Sequence, residues 1–125
     1  MVSGIGVDSV EVERIKRAAK RWGSDLLERL FTKPELKYCL KHANPYPSLA
    51  ARFAAKEAVL KALDAPNLWR WRDMEVRRAE SGRPSVILSG AAAAFVRRRK
   101  VRRLHVSLTH DAGRATAMVV AEGGR

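Results

Sequence analysis

The spacing of apolar residues changes character several times along the chain. Val2–Val10 mixes β-branched residues with Gly4 and Gly6, which predicts a buried strand. From Val10 the pattern turns helical, with Ile15, Ala18, Ala19 and Trp22 set among charges, and Gly23 is a natural stop. Ser24 can cap a short helix through Phe31. Thr32-Lys33-Pro34-Glu35 then opens another, with Thr32 as N-cap, Pro34 in the first turn and Glu35 closing a capping box, running to about His42. Asn44-Pro45-Tyr46-Pro47 reads as a loop. Ser48–Leu63, rich in Ala and Leu, is the clearest helix, and Ala65-Pro66-Asn67 ends it. A strand is expected around Met74-Glu75-Val76 and another over Ser85–Leu88. The turn Ser81-Gly82-Arg83-Pro84 joins them as a hairpin. Ser89-Gly90 leads into an Ala-rich helix ending in Arg97–Lys100. Leu104–Leu108 and Thr116–Ala121 are strand-like, with a turn near Asp111-Ala112-Gly113. This order, one strand, several helices, then strands with one helix among them, predicts an α+β fold.

The helix Ser48–Leu63 does not suit a simple core. At about 100° per residue, Leu49, Phe53, Leu60 and Leu63 form an apolar stripe. Lys56 falls inside that stripe, and Glu57 on its edge beside Ala50 and Ala54. Charges facing a core are expensive unless paired or bound. One reading is a Glu57–Lys61 surface pair, worth a few tenths of a kcal/mol, with Lys56 snorkelling. The other is a metal carboxylate among phosphate-binding cations, because magnesium takes one or two protein carboxylates and shares its remaining positions with water and phosphate. Asp8, on the Gly-flanked first strand, is the candidate second carboxylate.

Charge narrows the choice. The 125 residues carry 25 Lys plus Arg against 13 acids, a net charge of +12, which favours polyanionic partners. Hydrophobic residues make up 46%, enough for a packed core in one domain. Cys39 is the single cysteine, so an internal disulfide and four-cysteine zinc sites are excluded. The longest apolar runs, such as Ala91–Val96, are too short to span a bilayer, and Met1–Val10 does not read as a signal peptide. A cytoplasmic location is expected.

Three stretches carry a resemblance. Gly4-Ile5-Gly6-Val7-Asp8-Ser9-Val10-Glu11 resembles the N-terminal signature of holo-acyl-carrier-protein synthases. Arg52 through Leu63, reading RFAAKEAVLKAL, resembles the second signature, and Val106-Ser107-Leu108-Thr109-His110-Asp111 the third. Phe31-Thr32 with Glu35, Tyr38 and Cys39 fits the segment between the first two, and Gly82-Arg83-Pro84 the turn before the third. The motifs occur in order over nearly the whole chain. The resemblance implies one 4'-phosphopantetheinyl transferase domain over residues 1–125, a small antiparallel sheet packed with helices, and a homotrimer with coenzyme A between protomers. It implies transfer of phosphopantetheine from coenzyme A to a serine of an acidic acyl carrier protein, with magnesium held by Asp8 and Glu57. Lys61 and Lys56 would neutralise phosphate charge. Arg52, Arg83, Pro84, Thr109 and His110 would come from the other side of the interface or line the nucleotide pocket. The first helix would meet the carrier protein, offering Arg14, Lys16, Arg17, Lys20 and Arg21. Glu57, Asp111, His110 and water at the metal are all candidates to accept the serine proton.

Three departures from the family pattern stand out. Asp64 occupies a position that is often Gly, and the loop Asp64–Asp73 carries Trp69 and Trp71 between arginines. Val10 stands where larger relatives supply another acid. Among the other signals, Arg97–Arg103 holds six cations in seven residues; it reads as a solvated helix end favoured by the helix dipole, or as a nucleic-acid or membrane patch. The competing classes are a basic nucleic-acid-binding module and a non-catalytic oligomeric scaffold. The first leaves Asp8 and Glu57 unexplained, since carboxylates oppose phosphate unless a metal intervenes. The expectation is therefore an enzyme with neither nucleic acid nor membrane as partner.

Overall fold

A long helix laid across a three-stranded sheet organises the molecule. The computed structural model describes residues 1–65 and 69–124. In chain order the elements are β1 (Val2–Glu11), α1 (Val12–Leu30), α2 (Lys33–Cys39), α3 (Tyr46–Leu63), a 3-10 turn (Trp71–Asp73), β2 (Met74–Arg78), β3 (Pro84–Leu88), α4 (Gly90–Arg98), β4 (Val101–Asp111) and β5 (Arg114–Gly123). The main sheet has the order β1-β5-β4, all antiparallel, and β2 and β3 form a separate hairpin. The α+β expectation holds.

Local chemistry accounts for the elements. Gly23 sits at φ 64°, ψ −150° and breaks α1 where the pattern predicted a stop. The Thr32 capping box forms in both directions. α3 starts two residues earlier than expected, because Tyr46 and Pro47 enter its first turn. Asp64 ends α3 in the left-handed region, at φ 47°, ψ 44°, which Asp tolerates better than most residues. Of the expected terminator Ala65-Pro66-Asn67, the last two residues lie outside the described set. The strands β4 and β5 are longer than predicted, extending to the tight Ala112-Gly113 turn.

Packing corrects the picture of a one-sided α3. Ala50, Ala51, Ala54, Ala55, Ala58 and Ala62 are buried along with Leu49, Val59 and Leu63, so the helix is enclosed on nearly all sides. Its alanine face meets the sheet, where Ala115, Ala117, Val119 and Ala121 of β5 are also buried. Small residues on both surfaces let helix and sheet approach closely. Gly4 and Gly6 make this tightest on β1: a Cβ on either would collide with the carbonyl of Ala62 or Ala58. Trp69 packs edge-on against Phe95 at 5.2 Å, and Trp71 lies against Phe53 at 5.2 Å, so the tryptophans of the unusual loop are core anchors.

The opposite face of the main sheet is uncovered. Ile5, Val7 and Met118 are 60%, 55% and 47% exposed on adjacent strands. Among the described residues, no helix is long and apolar enough to cross a membrane.

Candidate active site

The glycines of β1 decide where the chemistry-bearing residues meet. Gly4, Gly6 and Asp8 alternate onto the helix-covered face of the sheet. Because α3 rests directly on Gly4 and Gly6, its Glu57 and Lys61 arrive beside Asp8. Lys61 Nζ donates to Asp8 Oδ1 at 3.0 Å and to the Val7 carbonyl at 3.0 Å. The pair is open, with side chains 54% and 19% exposed. Such a pair contributes less than about 1 kcal/mol, so Lys61 can turn to a phosphate at little cost. The surface pair Glu57–Lys61 does not form: Lys61 goes to Asp8, and Glu57 has no ion-pair partner among the described residues.

The half-buried Glu57 carboxyl is held above the ordinary glutamate range. Burial is the largest cause and the nearby negative charge of Asp8 the second, while Lys61 and Arg14 pull the other way. Two neighbouring carboxylates, one bridged to an exposed lysine and the other without an ion-pair partner among the described residues, form a hard-oxygen donor set suited to magnesium. Water and substrate oxygens would complete the shell, since Val10 supplies no third acid.

Arg14 acts on Glu57, so the start of α1 lies beside the site. Arg14, Arg17 and Arg21 are exposed and share one face of α1, three and four residues apart. Arg21 lies over the exposed Trp22 ring at 5.0 Å.

A second group of the predicted residues borders an open cleft of about 720 Å³ between α2, α3 and the β2–β3 hairpin. Tyr38, Arg52, Glu75, Val76, Arg78 and Gly82 line it. Arg52 is 2% exposed, and its guanidinium lies over the Tyr38 ring at 4.4 Å. Its Nη1 reaches the Ser48 carbonyl at 3.5 Å, while its buried Nε–H has no acceptor among the described residues. Arg83 is exposed in the turn next to this cleft, and Pro84 begins β3.

Thr109, His110 and Asp111 are not brought to Asp8 within the protomer. They end β4, and β5 separates β4 from β1. Two strand spacings put them about 10 Å away laterally. All three are exposed.

Lys56 requires a correction. The resemblance implied a phosphate ligand, but the structure turns Lys56 inward, with no solvent access. Its Nζ donates to Glu35 Oε1 at 2.7 Å, to the Leu30 carbonyl at 2.7 Å and to the Trp71 carbonyl at 3.3 Å, which uses all three of its protons. Burial pushes its ammonium below the usual lysine range, and Glu35 opposes that shift. Glu35 is the residue that sequence reasoning assigned only to a capping box. The available signal was a lysine in an apolar stripe, which demands a buried acid. Cys39 is buried, and burial raises its thiol to about 11, so it is inert.

A helix-on-sheet α+β fold thus brings two acids and a lysine together beside a basic helix face. The chain belongs to the 4'-phosphopantetheinyl transferase superfamily, whose family model matches residues 4–119. It is 50% identical over 123 residues to a holo-[acyl-carrier-protein] synthase of Clavibacter michiganensis, covering 98% of each chain. Among solved structures it superimposes on holo-[acyl-carrier-protein] synthase from Neisseria meningitidis with a TM-score of 0.90 at 31% identity, covering 98% of this chain and 99% of the other. The Helicobacter pylori synthase in complex with coenzyme A gives a TM-score of 0.83 at 31% identity, with 94% and 99% covered.

Proposed function

We propose that this protein is a magnesium-dependent holo-acyl-carrier-protein synthase. It moves the 4'-phosphopantetheine arm of coenzyme A onto a serine of an apo acyl carrier protein. The observation that carries this reading is the convergence of Asp8, Glu57 and Lys61 on one exposed spot beside the basic face of α1. That convergence occurs in a chain half identical to a named synthase over 98% of its length.

In the reaction the serine oxygen bonds to the β-phosphorus of coenzyme A, and the bond from that phosphorus to the bridging oxygen breaks. Adenosine 3',5'-bisphosphate leaves, and the serine loses its proton to a base. Magnesium supplies charge neutralisation on the pyrophosphate oxygens when it is bound by Asp8 and Glu57. Lys61 shares that charge by leaving its weak pair with Asp8. Positioning and electrostatics carry most of such a transfer. The cleft bordered by Arg52 is suited to the anionic nucleotide end of coenzyme A. The exposed arginines of α1 fit the acidic surface of a carrier protein.

The assembly is a homotrimer in this reading. The uncovered Ile5, Val7 and Met118 on the outer sheet face support it, since exposed apolar patches of a sheet commonly mark contacts between copies. It also gives Thr109 and His110 a role, as groups offered to the site of a neighbouring protomer. His110, Asp111 and Glu57 stay candidates for the base.

Intact-mass spectrometry of an apo acyl carrier protein incubated with this protein and coenzyme A tests the reading directly. A mass gain of one phosphopantetheine with magnesium, and none with chelator, is expected. No gain with any of several carrier proteins would sink it.

A further inference from the structure

We propose that the buried Lys56–Glu35 pair is a positioning device for coenzyme A, fixing α3 against the β2–β3 hairpin so that the cleft and the carboxylate site keep their spacing. This rests on the functional reading above.

The pair joins five segments through short directional bonds. Lys56 comes from α3. Its Nζ holds the last carbonyl of α1 at Leu30 and the carbonyl of Trp71 in the 3-10 turn. Glu35 comes from α2. Its Oε1 accepts the Thr32 N–H at 2.9 Å as well as the lysine, and its Oε2 accepts the Val76 N–H at 2.8 Å. Val76 is the middle residue of β2 and lies in the wall of the cleft. Among the described residues β2 has one strand partner, β3, so Glu35 takes the amide that β2 presents on its open edge.

Stability alone does not call for such a pair. Apolar residues of the same volume commonly replace a buried ion pair with no loss of stability. An apolar pair, however, cannot hold the Leu30 and Trp71 carbonyls or the Val76 amide, and these three groups lie on three separate segments. The pair therefore sets geometry. Lys56 and Glu57 are consecutive on α3, and Arg52 is one turn earlier on the Lys56 side. A shift or rotation of α3 that moved the Lys56 ammonium would carry Glu57 away from Asp8 and Arg52 away from the cleft. The hairpin is fastened at Val76, and the same hairpin carries Arg83 and Pro84. Both walls that would grip coenzyme A are thus referenced to one buried point, an arrangement in which small misplacement is costly to binding and chemistry.

The test uses the full chain with Lys56→Met and, separately, Glu35→Gln. Glu35→Gln keeps the volume and an acceptor oxygen but removes the charge. Steady-state constants for both substrates are measured with magnesium, alongside coenzyme A binding by calorimetry and thermal melting. The expected result is a rise of about tenfold or more in the KM and Kd for coenzyme A, with the KM for carrier protein within about twofold of wild type. Folded variants with a lower Tm but an unchanged coenzyme A KM would show a purely structural pair and overturn the proposal. Should Lys56→Met fail to fold, Glu35→Gln decides; should both fail, the pair is a folding determinant and the proposal falls. Wild-type protein that neither binds coenzyme A nor transfers its arm would sink the functional reading itself, an outcome visible without either variant.

Discussion

Lys56 and Glu57 are consecutive on α3, yet the first shares its three protons among three acceptors with no solvent access, and the second has a half-buried carboxylate with no cation paired to it among the described residues. Lys56 is closed: all three of its donors are used inside the fold. The Glu57 side is open: Glu57 is held above the usual carboxyl range, and Asp8 is joined to Lys61 only by an exposed contact. Saturated charge serves geometry, because nothing remains to bind a ligand. Unsaturated charge leaves binding free energy available to whatever arrives, in the proposed function a metal and phosphate oxygens.

Substitution at the open side is the strongest way to break this comparison. Glu57→Gln removes the proposed metal ligand, and turnover is expected to fall by about 10²-fold or more. Its effect on stability should have the opposite sign. Because the folded-state carboxyl is held up by burial and by Asp8, its favourable contribution is present below the ordinary glutamate range and is lost as pH rises through the elevated value. At neutral pH without metal, ionised Glu57 therefore weighs against folding, and Glu57→Gln should melt higher than wild type, on the order of a few degrees. The gap should close as the pH falls into the ordinary glutamate range. Magnesium should raise the Tm of wild type and not of the variant. Thermal melts across pH, with and without magnesium, check all three; normal turnover by the variant would remove Glu57 from the metal site.

Gly6→Ala sharpens the comparison from the sheet side. The added Cβ meets the Ala58 carbonyl, so β1 and α3 must separate. A loss of about 1–3 kcal/mol in stability is expected from the overpacking, with activity falling further than stability because Asp8 moves away from Glu57. Denaturant unfolding and turnover of the folded fraction measure the two effects. Full activity in Gly6→Ala would show that the close approach does not set the site.

The smallest effect is expected on the outer surface. Arg14→Glu reverses a charge on the α1 face proposed to meet the carrier protein, one that acts on Glu57 only through space. The KM for carrier protein should rise about tenfold and the salt dependence of association should weaken, while coenzyme A affinity stays near wild type. An unaltered carrier KM would remove this helix face from docking.

Much of this was legible in the linear pattern. The break at Gly23, the Thr32 capping box and the β2–β3 hairpin all follow from local rules that need only a few neighbouring residues, whereas Asp8 and Glu57 were put together by the chemistry of a metal site and by family resemblance. The role of Lys56 was not legible, since its acid lies 21 residues away and had already been explained by its cap. The enclosure of α3 was also hidden, because alanines do not advertise burial as leucines do. The place of Thr109 and His110 relative to Asp8 could not be read either, since strand order is a matter of long-range pairing.

Sequence by itself determined the α+β class, the positions of the turns and the family. These depend on local conformational preference and on residue chemistry. Only the tertiary structure decided which charge faces inward and which stays open, for a one-residue step along a helix is a turn of about 100°. That turn sends Lys56 into a ready-made cage of carbonyls and a carboxylate, and leaves Glu57 beside the strand on which two glycines let the helix rest.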